Sequence, residues 1–184
     1  YLHQNSIEIT GVTGRDSLCR VYMKAYDGEF RLREALDIMV LEPLIVPPPC
    51  PGTVQKAAMS DLDLIVDWKC ALIREAIGEE PVPEQLRETT LDQLKRSVVW
   101  LMRDPSGEPV SMANSGRMLE RGACVSGVYT PPEHRGKGYC QNTVAALCRE
   151  LLACGKSYVT LFVDKKNPIS NRVYRKIGFD ILED

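Results

Sequence analysis

The sequence predicts an α/β fold of three layers, with helices on both faces of a mixed sheet. Beyond residue 52, strand-length apolar runs alternate with helix-length amphipathic stretches in the order β-α-α-β-β-β-α-β-α-β. A loop bearing Gly136 and Gly138 leads from one of those strands straight into a long helix. The 184 residues suffice for one domain plus an extension, and 44% hydrophobic with 26% charged residues is the balance of a globular protein.

The extension takes residues 1–52. Within it, residues 14–27 carry Leu18, Val21, Tyr22 and Ala25 on one helical face. Residues 36–46 are strand-like, and Pro43 sets them at a sheet edge or ends them early. The run from Pro47 to Gly52 is a stiff boundary, because its prolines fit neither a helix interior nor a central strand. The domain, 53–184, opens with a short strand over 54–59. Ser60 and Asp63 suit a helix start. Leu62, Ile65, Val66, Lys69, Leu72, Ile73 and Ala76 then line one side of a helix that Gly78 stops. The loop Glu79-Glu80-Pro81-Val82-Pro83 precedes a more polar helix, 84–96.

A hairpin follows, with arms at 97–103 and 108–114 around the turn Asp104-Pro105-Ser106-Gly107. A polar connection over 116–122 leads to a strand at 123–130 and then to the glycine loop. The next helix, 138–153, buries Val144, Leu147, Cys148, Leu151 and Leu152 and ends at Gly155. A buried strand covers 158–163. Asn167 caps the last helix, Pro168 opens it and Gly178 lies just past its end, leaving 179–182 as a final strand.

Composition narrows the partners. A net charge of -2 and a pI near 5.8 give no reason to expect nucleic acid or an anionic membrane. No apolar run reaches the ~18 to 20 residues of a membrane span, and Tyr1-Leu2-His3-Gln4-Asn5-Ser6 has no signal-peptide pattern. Seven cysteines are irregularly spaced, without a Cys-x-x-Cys pair, and His3 and His134 lie far apart. Neither a metal site nor a disulfide framework is expected. Free thiols in a reducing cytoplasm are the plain reading.

The chemistry centres on Val125 to Cys140. Glycines between a strand and a helix N-terminus let backbone N–H groups close on an anion, and the helix dipole favours negative charge there. Two nucleotide motifs fail on the letters. A phosphate loop of NTPases would need Gly at Pro131 and Ser or Thr at Gly138. The dinucleotide fingerprint would need Gly at Gln141.

A third pattern fits. Arg135-Gly136-Lys137-Gly138-Tyr139-Cys140, followed by Asn167, Ser170, Tyr174, Gly178 and Phe179 at the matching spacing, resembles the GNAT superfamily of acetyl-coenzyme A-dependent N-acetyltransferases. The wording of 132–139 and 167–179 looks most like its FR47-like branch. The resemblance is specific over 125–179 and looser over 53–124. It implies a mostly antiparallel central sheet, splayed at the acyl-coenzyme A site between the strands at 123–130 and 157–163. Backbone groups of Val128, Tyr129 and Thr130 would pair with the pantetheine arm, and Val128 would also donate to the thioester oxygen. Backbone N–H groups from Arg135 to Cys140 would hold the pyrophosphate, with charge added by Arg135 and Lys137. Asn167 and Asn171 would face the coenzyme. Tyr174 would protonate the leaving thiolate, for which a phenol with a pKa near 10 is suited; a packing role for Tyr174 stays open. His134 reads as a solvated loop residue. The general base is Glu79, Glu80 or a water.

Two positions depart from the pattern. Cys140 stands where the motif has Gly or Ala, and the chain ends at Asp184, where the family usually adds a strand. A longer chain, an early end to the sheet, the strand-like 36–46, or a second subunit in a homodimer would each account for the second departure. The expected function is acetyl or short acyl transfer to an amine by direct attack, with acetyl-coenzyme A as co-substrate and no metal. The alternative is a non-catalytic acyl-coenzyme A sensor. The glutamates of 79–84 hint at a cationic acceptor.

Overall fold

The computed structural model describes residues 11–26 and 29–182. The opening residues Tyr1 to Ser6, with His3, and the end at Asp184 lie outside them. Two compact units span Tyr1–Arg33 and Glu34–Asp184. In the first, α1 (Asp16–Ala25) has Asp16 in its first turn and Lys24 in its last, both complementing the helix dipole. It buries none of its residues, and Leu18 and Val21 of the expected apolar face are exposed. Tyr22 and Tyr26 stack, and Phe30 meets both edge-on.

The second unit contains β1 (Leu36–Leu41), β2 (Thr53–Lys56), α2 (Leu62–Ile77), α3 (Pro83–Lys95), β3 (Val99–Arg103), β4 (Pro109–Met118), β5 (Gly122–Tyr129), α4 (Tyr139–Ala153), β6 (Tyr158–Asp164), α5 (Pro168–Ile177) and β7 (Phe179–Ile181). The strands form one sheet in the order β2-β3-β4-β5-β6-β1-β7. Every neighbouring pair is antiparallel except β5–β6. This is the mixed, mostly antiparallel sheet of the expected three-layer fold.

Each face of the sheet carries its own core. Val125, Leu161, Val163 and Ala113 pack under Val144, Leu147 and Cys148 of α4 and Tyr174 and Ile177 of α5. On the other face Val99, Leu101, Met112 and Tyr129 pack under Leu62, Ile65, Val66 and Cys70 of α2 and Leu94 of α3. All seven cysteines are free, and Cys70 of α2 and Cys148 of α4 fill the core as expected.

The sequence places β1 only in part. It assigns residues 36–46 to the extension, at a sheet edge or with an early end, and the early end is the alternative that holds. The strand stops at Leu41, two residues short of Pro43, and lies inside the sheet between β6 and β7, with Met39 opposite both Leu161 and Ile181. Met39 and Leu41 are buried in the core on the α4–α5 face, which is why the strand belongs to the sheet-bearing unit. Past Leu41 the chain stays tied by Glu42 N–H to Gly178 O at 3.0 Å and Ile45 N–H to Ile177 O at 2.8 Å. Gly178, at φ +105°, is required there: a Cβ would lie 2.3 Å from the Pro43 carbonyl oxygen.

Smaller differences have local causes. Ser60 does not cap α2; Asp61 instead accepts from the Ala58 N–H at 2.9 Å and pairs with Arg103 at 2.5 Å. Strand β4 runs on to Met118, through what reads as a polar connection, because β5 lies beside it as far as Ala123. The turn at 104–107, the cap by Asn167 and the left-handed Gly78 and Gly178 all stand where the sequence puts them.

Candidate active site

Strands β5 and β6 pair in parallel over four residues, from Gly122↔Tyr158 to Val125↔Leu161. Beyond that pair they part. β5 continues beside β4 to Tyr129, while β6 stays with β1 to Asp164. The opening lies at the C-terminal ends of two parallel strands, and each strand is followed by a helix, α4 and α5. Both helix N-termini thus belong to the end of the sheet where it opens, the place where α/β sheets take ligands.

A bulge marks the β5 side of the opening. Met112 pairs with Tyr129 and Asn114 with Ser126, so Gly127 and Val128 together oppose Ala113. Gly127 has φ +56°, and a Cβ there would meet Asn114 Nδ2 at 2.7 Å. The extra residue exchanges the faces that unbroken alternation from Val125 would give the next two side chains. Val128 packs against the α4–α5 core, and Tyr129 against the α2–α3 core. A glycine within a strand pattern permits such a bulge, but the partner residue it is set against is not written in the local sequence.

The glycine loop has the backbone expected of it. Gly136 and Gly138 sit at φ +76° and +84°, and Gly138 is the N-cap of α4. No side chain caps the helix, so the N–H groups of its first turn, at Tyr139 and Cys140, are the orphan donors of a helix start. The Arg135 N–H differs: it bonds Pro132 O at 3.2 Å. Its side chain also turns from the loop. It donates to Thr130 O at 2.9 Å and Glu75 Oε2 at 2.5 Å, and its guanidinium lies over the Tyr129 ring. Glu75 Oε1 in turn accepts from the Tyr129 hydroxyl at 3.0 Å. Arg135 therefore pins the loop to α2, with its charge met by Glu75. Lys137 is exposed and, among the described residues, has no ion pair. Thr130 donates to Ser111 Oγ at 2.9 Å, and the Tyr139 ring meets His134 edge-on. His134 is not fully solvated: its Nε2 lies 3.8 Å from Glu108 and its side chain is mostly buried.

Val128 of β5, Cys140 in the first turn of α4 and Tyr174 of α5 all pack into the core on the α4–α5 face, where Cys140 and Tyr174 are neighbours. Tyr174 is 8% exposed, with its ring edge-on to Phe179. Burial, and then the neighbouring Cys140, raise its pKa. Burial pushes the Cys140 thiol up to about 12, partly offset by the Thr130 hydroxyl. Both groups hold their protons at neutral pH. Among the described residues the Tyr174 hydroxyl makes no hydrogen bond, so its proton is available.

The two asparagines are engaged locally. Asn167 Oδ1 accepts from the Ser170 N–H at 3.0 Å, and Asn171 Nδ2 donates to Asp164 O at 3.1 Å and Asn167 O at 2.8 Å. Their bonded atoms fix the start of α5 against the end of β6 and are not turned outward. Glu80, one of the expected bases, pairs with Arg74 at 3.2 Å.

Behind the bulge lies a polar network that the sequence did not announce. Lys69, 7% exposed, donates to Thr90 Oγ1 at 2.7 Å and Gln93 Oε1 at 2.5 Å. Asn114 Nδ2 donates to the same Gln93 oxygen at 3.4 Å, leaving Asn114 Oδ1 buried without a partner among the described residues. Burial pushes the Lys69 pKa down to about 8. Lys69 falls on the helical stripe where its stem reads as apolar cover, which is why its role was missed. Among the described residues no group of histidine, cysteine and carboxylate side chains could hold a metal, and no helix is long and apolar enough to cross a membrane.

Comparison with known proteins follows the same lines. The family model described as "Acetyltransferase (GNAT) family" matches residues 62–179. No curated protein matches by sequence. Among solved structures, a GNAT-family acetyltransferase from Colwellia psychrerythraea superposes with a TM-score of 0.67 at 13% identity, covering 90% of this chain and 57% of that one. A GCN5-related N-acetyltransferase from Sphaerobacter thermophilus gives 0.69 at 18%, over 90% of this chain and 53% of that one. A predicted acetyltransferase with acetyl-CoA from Clostridium acetobutylicum gives 0.58 at 20%, over 72% and 92%. The chain thus spans little more than half the length of the first two, and at these identities the likeness is one of fold.

Proposed function

The chain belongs to the acetyltransferase (GNAT) family, and from that premise we propose that it moves an acetyl or other short acyl group from acetyl-coenzyme A to an amine. The observation behind this reading is the parting of β5 from β6 after Val125↔Leu161, with a bulge at Gly127–Val128 on one side of the opening and the protonated Tyr174 in the adjoining cluster. The FR47-like branch is our inference from the wording of 132–139 and 167–179.

The residues present suit the coenzyme. At Gly136 a Cβ would meet nothing within 4 Å, and at Gly138 nothing nearer than 3.7 Å, so the loop surface is open to a large anion. Backbone N–H groups from Gly136 to Cys140 hold the pyrophosphate in this scheme, and Lys137 adds charge. Arg135 contributes by fixing the loop. Val128 and Tyr129 of β5, with Thr130 just past it, have no strand partner on the β6 side and take the pantetheine amides there as a strand edge takes a peptide.

Transfer then needs four events. The amine nitrogen attacks the thioester carbonyl carbon, and the Val128 N–H stabilises the oxyanion that forms. The C–S bond breaks as the carbonyl reforms. Tyr174 gives its hydroxyl proton to the departing sulfur, and a water or carboxylate takes the proton lost by the amine. Tyr174 regains its proton from solvent.

The test is free-thiol release from acetyl-coenzyme A with amino acids, polyamines, aminoglycosides and peptides as acceptors, alongside calorimetry of coenzyme A. Release with at least one class is expected. Tight coenzyme binding with no release to any amine would establish the sensor instead, and the absence of binding would overturn both readings.

A further inference from the structure

We propose that the acceptor is an amine bearing a carboxylate and an apolar body, and that Arg117 and Phe162 form the subsite that receives it. This rests on the reading of the chain as an acyltransferase.

Among the described residues the two faces of the sheet are covered unequally. Its first face is covered along β5 and β6 by α4 and α5, with Val125, Leu161 and Val163 buried beneath them. On the second face, α2 and α3 cover β3, β4 and the end of β5, where Val99, Leu101, Met112 and Tyr129 are buried. Over β6 and β1 that second face is open: Ile38 is 39% exposed and Phe162 41%. Phe162 follows Leu161, the last β6 residue paired with β5, and it points away from the side on which Leu161 and Val163 are buried. Its ring therefore stands on the open face where the two strands begin to part.

Arg117 lies over that ring, its guanidinium carbon 5.4 Å from the centroid. It is exposed, and among the described residues it makes no ion pair or hydrogen bond. Arg103 and Arg135, by contrast, each engage a carboxylate. The β4–β5 register sets Gly116 and Arg117 opposite Cys124, and Cys124 is the partner of Thr160 in the β5–β6 ladder. Arg117 thus hangs over the join between the strands with its donors unused.

A guanidinium over an aromatic ring is partly desolvated and keeps its planar fork for a carboxylate. Phe162 and Ile38 supply an apolar wall beside it. The complement is an anion next to an apolar group, with a nitrogen left to enter the opening. A polycation fits poorly, because Arg117 repels it and, of the glutamates of 79–84 that hint at one, Glu80 is paired with Arg74.

The test compares phenylalanine, leucine, phenylalaninamide and spermidine as acceptors in the wild type, Arg117→Gln and Phe162→Ala. The wild type should prefer phenylalanine to its amide by about tenfold or more in kcat/KM, the scale of one charge-assisted pair. Arg117→Gln should lower the acid to the level of the amide and leave the amide and the coenzyme Kd unchanged, while Phe162→Ala lowers both acceptors. Equal use of acid and amide by the wild type, or an acid preference that survives in Arg117→Gln, overturns the proposal. If no amine releases thiol, the acyltransferase reading fails by itself, and calorimetry of N-acetylphenylalanine with coenzyme A present still decides on the subsite. Binding lost in Arg117→Gln supports it, and no binding to the wild type overturns it.

Discussion

The Lys69 ammonium donates to Gln93 Oε1 at 2.5 Å, and its other bond goes to a threonine hydroxyl, so a buried cation is held by neutral oxygens alone. Desolvation lowers its pKa from 10.5 to about 8. Below pH 8 both folded and unfolded chains carry the proton, and the folded state bears the full cost of burying it. Between about 8 and 10.5 the folded chain has released the proton while the unfolded chain keeps it, so stability rises with pH through that window. Against Lys69→Met, the wild type should gain up to about 3 kcal/mol between pH 7 and 10.5, read by urea denaturation of both proteins. A constant difference between the two would show that Lys69 titrates normally.

Gly178 and Gly138 both sit at positive φ, but only Gly178 has backbone in the way. Gly138→Ala should cost about 1 kcal/mol, the strain of a left-handed alanine. Gly178→Ala must also push the Pro43 carbonyl aside and should cost roughly 3 kcal/mol or more. Thermal melts of the two variants rank them, and equal losses would contradict the packing at Pro43.

Tyr174→Phe keeps the ring against Phe179 and removes only the hydroxyl. The acid role predicts a kcat lower by about 10²-fold or more, with the coenzyme Kd unchanged. A kcat within twofold of the wild type, the outcome of a packing role, would remove Tyr174 from the mechanism.

Arg135 and Lys137 flank one glycine and should behave differently. Arg135→Gln loses the Glu75 ion pair and the contact with Tyr129, so its melting temperature should fall. Lys137→Gln should melt like the wild type and bind coenzyme A about 2- to 5-fold more weakly, the worth of one exposed charge. A fall in affinity for Arg135→Gln with no loss of stability would reverse these assignments.

Features written in single residues were legible in the sequence. Gly78, Gly136, Gly138 and Gly178 each imply a backbone that other residues avoid, and Asn167 with Pro168 spells a helix start. The roles expected of Val128 and Tyr174 came from a family pattern, not from periodicity, and the packing of Cys140 beside Tyr174 was not foreseen. What stayed hidden depends on pairs of distant residues. The register that gives β5 its extra residue at Gly127, the Glu75 carboxylate waiting for Arg135, and Gln93 beneath Lys69 have no local signature. For β1 the alternation was readable, but alternation is satisfied by any partner strand and does not say which one.

The position of β1 bears on how the unit is assembled. Leu36 to Val40 pair with residues near 160, and Met39 to Leu41 with residues near 180, so the strand synthesised first finds its neighbours last. Until β6 and β7 exist, an apolar strand with two open edges must wait beside a growing chain, a topology of high contact order and slow folding. A fragment beginning at residue 53 would lack no appendage; it would lack the strand that joins β7 to the rest of the sheet, and both severed edges would be free to recruit another chain.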